Sequence, residues 1–218
     1  MRILRQRMAA VLGLTMVVSL GTAGIAAALV TDNMFPTANT PNDCWNQDPG
    51  DIYNNNVPCR TDNTNTYYYM DSADAFELES PDRTAVIQTM NWDYGPTDLY
   101  IVYDSDPAFS GPAETDIVYQ EGRVGNLPPN IVGVTWCDDA AGAISDECDQ
   151  QVVRIRGYGT YDRGLACHET GHAVGLQHGA LSSPQLSNQN SRLGCLVTDP
   201  PSGAGLGSHN SDMIDATY

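Results

Sequence analysis

The 218-residue sequence contains no lysine: its ten basic residues are all arginine, set against 27 aspartates and glutamates, for a formal net charge of −17. Without lysine there is no Walker A phosphate loop, no Schiff-base nucleophile and no Ser-Lys dyad, so several enzyme classes fall together. So few basic groups in so acidic a field also argue against nucleic acid as a partner, because phosphate backbones are held by basic surfaces. A G-x-S-x-G elbow is missing as well, and Gly157-Tyr158-Gly159 is too short to cradle a phosphate. What is present suffices for one core: 41% of the residues are hydrophobic, and the length suits one domain of usual size plus a leader.

The chain divides into three parts by composition. Residues 1–28 read as a signal peptide, with Arg2, Arg5 and Arg7 ahead of an uncharged apolar run and Ala26, Ala27 and Ala28 at the cleavage region. The competing reading is a membrane anchor, but the Gly/Ala-rich second half of the run favours cleavage, and no membrane insertion is expected afterwards. Residues 29–58 are rich in Asn, Asp, Pro and Thr and are expected to form an extended wrapping segment or a removable pro-segment. Residues 59–218 then form the main domain. Within it, strands are expected near 66–70, 99–103, 116–120, 131–137 and 151–158. A helix capped by Ser80 and opened by Pro81 runs toward Gly95-Pro96.

Six cysteines on an exported chain should be oxidised, and the even count permits complete pairing. Sequence leaves several connectivities open; nearest-neighbour pairing gives Cys44 with Cys59, Cys137 with Cys148 and Cys167 with Cys195. A rival arrangement keeps Cys44 or Cys59 free to cap a metal as a zymogen switch.

Three of the four histidines crowd into residues 168–178, which read H-E-T-G-H-A-V-G-L-Q-H. On a helix His168 and His172 lie one turn apart on one face, about 6 Å along the axis, close enough for two imidazoles to meet one zinc ion. Glu169 is then placed to act on a water as general base without becoming a ligand. Gly175 stands where a left-handed residue ends the helix and turns the chain, so that His178 returns as third ligand. Three nitrogens and an open fourth position suit a catalytic zinc site, whereas a structural site is closed by four ligands. Glu169 is the last glutamate of the chain, which excludes the thermolysin-like arrangement with a downstream glutamate as third ligand.

This H-E-x-x-H-x-x-G-x-x-H stretch resembles the zinc-binding motif of the metzincin metallopeptidases. Residues 59–218 are similar to small secreted bacterial members of that clan. Snapalysin-like proteases carry aspartate as third ligand, so His178 sets this chain apart from them. The resemblance implies an α/β (α+β) fold: a twisted, mostly parallel mixed sheet with one antiparallel edge strand, a backing helix, the active-site helix and a C-terminal helix. It also implies a secreted zinc metalloendopeptidase, with His168, His172 and His178 as ligands, Glu169 as base, and a protein or peptide substrate extended along the edge strand.

A metzincin carries a Met-turn beneath its metal, and here the sequence departs from the pattern. Met213, the only methionine after the motif, sits in residues 210–218, which are expected to form the terminal helix with Asn210 as its N-cap. The turn is therefore expected at residues 194–197, with Leu196 in place of methionine, a swap of similar volume that costs under about 1.5 kcal/mol. His209 is expected at the surface. The acidic loop at residues 137–149 could hold calcium, although a solvated loop is the simpler reading. Two other functions fit the same motif: a secreted zinc-binding protein without catalysis, and a zinc hydrolase of cell-wall peptides. A monomer is expected.

Overall fold

The computed structural model describes residues 33–40, 44–47, 59–111, 113–123, 127–142 and 146–218. The expected signal peptide at 1–28 lies outside the described residues, as does most of 29–58. Among the described residues no helix is long and apolar enough to cross a membrane.

Six strands form one sheet: β1 (Arg60–Thr61), β2 (Asn65–Met70), β3 (Tyr100–Tyr103), β4 (Ile117–Gly122), β5 (Gly133–Ala140) and β6 (Glu147–Arg156). Their order is β1-β6-β4-β2-β3, with β5 paired to β6. Every pairing is parallel except β5 with β6, which is antiparallel. The expected α/β fold with one antiparallel strand is therefore the observed one. Side-chain alternation explains β2: Thr66, Tyr68 and Met70 are buried while Asn65 and Tyr67 face solvent. The interior strand β6 instead runs buried without a break from Gln150 to Ile155, as expected for a strand covered on both faces.

Helix α1 (Ser80–Thr89) and helix α2 (Arg163–Ala173) share one apolar core with the sheet, in which Val86 and Met90 meet Ile117, Tyr119 and Ile155. A smaller cluster of Val118, Trp136 and Val152 lies apart from that core. Ser80 proves to be the first residue of α1 and Glu79 its cap, without a side-chain cap bond. A capping hydroxyl gains most where the first-turn amides have no other partner; here Pro81 already removes one of those donors. Helix α1 continues through a π-helical turn, Met90–Tyr94, to Gly95.

Helix α3 (Ser208–Asp215) begins after its cap Gly207, at φ 77°, three residues earlier than a helix capped by Asn210 would. The early start carries His209 into the first turn, where it is buried and not at the surface. Nearby, Asn210 donates to the Leu193 and Leu206 carbonyls and so ties α3 to the turn before it.

Residues 33–40 wrap against the loop that follows α2. The Phe35 N–H donates to the Gly175 carbonyl at 2.8 Å, and the Gln177 N–H donates to the Asn33 carbonyl at 2.7 Å. Asn33 and Phe35 are fully buried. These residues form part of the folded body.

Candidate metal centre

Helix α2 opens with Asp162, whose carboxylate accepts the Leu165 N–H at 3.0 Å, a side-chain cap that fixes where the helix starts. Counting from there, His168 and His172 fall one turn apart on one face. The helix ends in a Schellman arrangement: the Leu176 N–H reaches the Gly171 carbonyl at 2.7 Å and the Gly175 N–H reaches His172 at 3.0 Å. Gly175 stands at φ 93°, a conformation that side chains rarely adopt. The turn it makes sends the chain back toward the helix and delivers His178.

The three imidazoles converge, with one ligand atom of each lying within 4.8 Å of the other two. Every Nδ1 is engaged by a backbone carbonyl: His168 with Cys195 at 2.7 Å, His172 with Leu176 at 2.8 Å and His178 with Leu196 at 3.1 Å. A carbonyl only accepts, so each Nδ1 carries the proton and each Nε2 presents its lone pair. The Nε2 atoms of His168 and His172 stand 3.2 Å apart, near the roughly 3.3 Å that two nitrogens have around a tetrahedral zinc ion. Two lone pairs so close repel unless a cation lies between them. The donor set therefore fits a metal ion.

Burial enforces the neutral form these ligands need. It lowers His168 from 6.5 to about 4, with the nearby His178 adding to the effect, and it lowers His178 as well.

The turn expected at 194–197 lies at this site. Gly194 takes φ 52°, and Leu196 is fully buried. Leu196 approaches the helix so closely that a Cβ at Gly171 would lie 2.7 Å from its Cδ2, so only glycine fits there. Met213 sits elsewhere, in helix α3, lining a groove with Met34, Phe35, Pro36 and Arg60. The disulfide Cys167–Cys195 joins the residue before His168 to the turn that orients the rings. Two further disulfides, Cys44–Cys59 and Cys137–Cys148, complete the nearest-neighbour pattern and leave no free thiol among the described residues.

Comparison with protein-family models and with curated proteins finds no match to this chain. The geometry of the site therefore carries the functional argument.

Glu169 is buried beside the histidines, and desolvation pushes its carboxyl from 4.5 up to about 7, opposed by a hydrogen bond from Thr135. The Thr135 hydroxyl stands 2.8 Å from Glu169 Oε2 and 2.9 Å from the Glu169 backbone carbonyl. Sequence reading missed Thr135: a threonine in a strand is an ordinary β-former, and its only signal was to share an alternating face with Gly133. Gly171 was likewise missed, since the motif leaves that position open.

Away from the histidines, the only other metal-capable group among the described residues is Cys44, Cys137 and Cys148, all tied up in disulfides. In the acidic loop, residues 143–145 lie outside the described residues. Asp146 and Glu147 are paired with Arg60 at 3.2 Å and 2.9 Å.

Proposed function

We propose that this chain is a secreted zinc-dependent endopeptidase of the metzincin kind. The observation that carries the reading is the convergence of three Nε2 lone pairs, each fixed by a carbonyl on Nδ1, beside one buried carboxylate that is not part of the ligand set. Three neutral nitrogens suit zinc, and an ion with three protein ligands keeps a position open for chemistry. The three disulfides suit an oxidising compartment outside the cell.

Zinc held by His168, His172 and His178 would supply a Lewis acid and bring the pKa of water down to roughly 7. Glu169 takes the proton of the attacking water and returns it to the leaving amine, so the peptide C–N bond breaks with no net proton change. Among the described residues β6 is the only strand paired with β5; Gln47 and Asn46 bond to Cys137 and Ala140 at its far end, so an extended peptide would add along the stretch before Cys137.

The test is cleavage of a denatured protein by the purified, zinc-loaded chain and by Glu169→Ala loaded with equal zinc. Cleavage by the first and not the second is expected. If neither cleaves while both hold zinc, the endopeptidase reading fails. Activity confined to cell-wall peptides would move the substrate class.

A further inference from the structure

We infer that Thr135, with Gly133 beside it, is the positioning residue for Glu169, and that strand β5 thereby sets the direction in which the base acts. The inference rests on the hydrolase reading above. It begins from the strand's alternation, which puts residues 133 and 135 on the same side of β5, the side facing helix α2.

Each of the two positions does a different thing to the same carboxylate. A Cβ built at Gly133 would lie 2.4 Å from Glu169 Oε1 and 2.9 Å from Cδ, so any side chain there would displace the carboxylate. The backbone of Gly133 is ordinary strand, continuing in register opposite Ile155, so glycine is required for space and not for conformation. At Thr135 the hydroxyl lies 2.8 Å from Oε2 and 2.9 Å from the carbonyl of the same glutamate. One proton shared between those two acceptors fixes the side chain against its own backbone. Oε2 is thus held by the strand while Oε1, over the glycine, keeps its lone pairs for the proton of an attacking water.

A hydroxyl that served the fold alone would need only the carbonyl contact. The contact with the carboxylate is what makes position 135 part of the reaction geometry. Because β5 is also the strand along which an extended peptide would add in the proposed function, one element would register the peptide and aim the base that acts on it. A misaimed base lowers turnover without loosening the ground-state complex, so the effect belongs on kcat.

The experiment compares Thr135→Val, Thr135→Ser and Gly133→Ala with the parent chain, all with zinc content and Tm measured. A hydrogen bond to a charged group is worth about 10- to 100-fold. Thr135→Val is expected to lower kcat by that factor with KM within twofold, Thr135→Ser to recover most of it, and Gly133→Ala to lose at least as much as Thr135→Val. A second readout does not need turnover: acetohydroxamate chelates zinc and passes a proton to the adjacent base. Its affinity, measured by calorimetry, should fall with Thr135→Val in the parent chain and not fall further in a Glu169→Ala background.

Wild-type kcat in Thr135→Val, or an equal loss of hydroxamate affinity with and without Glu169, would overturn the assignment. A chain that binds hydroxamate with this coupling yet cleaves no peptide would keep the positioning role and discard the endopeptidase reading. A zinc-loaded chain that does not bind hydroxamate would discard both.

Discussion

Cys167 and Cys195 bind the helix that carries two of the histidines to the turn whose carbonyls orient two of the rings. The bond closes a loop of sequence separation 28, worth about 3 to 4 kcal/mol in chain entropy. Replacing both cysteines by serine is expected to lower Tm and to weaken zinc retention together, measured by competition with a chelator. Unchanged metal affinity at a lowered Tm would show that the bond serves the fold and not the site.

Gly171 tests how tightly the turn is pressed against the helix. Alanine is the better helix former by about 1 kcal/mol, yet its methyl would have to enter the space held by the fully buried Leu196. Overpacking of that kind costs about 1–3 kcal/mol, so Gly171→Ala is expected to be destabilising on balance and to release zinc more readily. Adding Leu196→Val should recover part of the loss. Strict additivity of the two in thermal melts would argue that the residues are not in contact.

Phe35 tests the wrapping segment. It is 1% exposed and its N–H holds the Gly175 carbonyl. Phe35→Ala is expected to cost about 3–5 kcal/mol and, because Gly175 sets the return of His178, to reduce zinc affinity as well. Chemical denaturation with parallel metal titration checks both.

Two buried groups set opposing pH dependences of stability over nearly the same window. Asp82 is buried with Glu121 as neighbour, and its carboxyl is raised from 3.8 to about 7, by burial first and by the Glu121 charge next. The folded chain holds that proton where the unfolded chain releases it. The contribution is therefore full below about 3.8 and lost as pH rises to and through 7. His168 acts in the opposite sense: lowered from 6.5 to about 4, it refuses a proton the unfolded chain accepts, so stability is lost as pH falls from 6.5 toward 4. The two effects oppose each other, so Asp82→Asn should unmask the His168 effect and make Tm of the metal-free protein rise more steeply with pH between about 4 and 6.5.

The site was legible where chemistry is local. One helical turn, one glycine and one return of the chain set the positions of His168, His172 and His178, all within eleven consecutive residues. Strands β2 to β6 were legible to within a few residues, because alternation and Gly/Pro punctuation are also local signals, whereas the two-residue β1 is too short to carry either. Their parallel order was not in the periodicity and came with the resemblance. Thr135 and Glu169 are 34 residues apart, and nothing in either neighbourhood announces the contact. Residues 33–40 lie in a stretch whose composition left a wrapping segment and a removable pro-segment both open. Their attachment uses backbone groups and the Asn33 amide, which donates to the Gln177 carbonyl and the Asn210 side chain, together with the buried Met34 and Phe35. His209 was misplaced for a similar reason: Ser, Asn and Gly around it suggested solvent, whereas the helix starts early enough to turn it inward.

The three ring protons of the centre all rest on main-chain carbonyls, and none on a carboxylate. Such a shell adds no negative charge to the ligands, so a divalent ion held there keeps its full charge against the single carboxylate of Glu169. On a chain whose formal charge is −17, the loaded centre becomes an island of positive potential in a negative field. An anionic ligand of such an ion would have to cross the negative surface before the ion could hold it, and a neutral one would not.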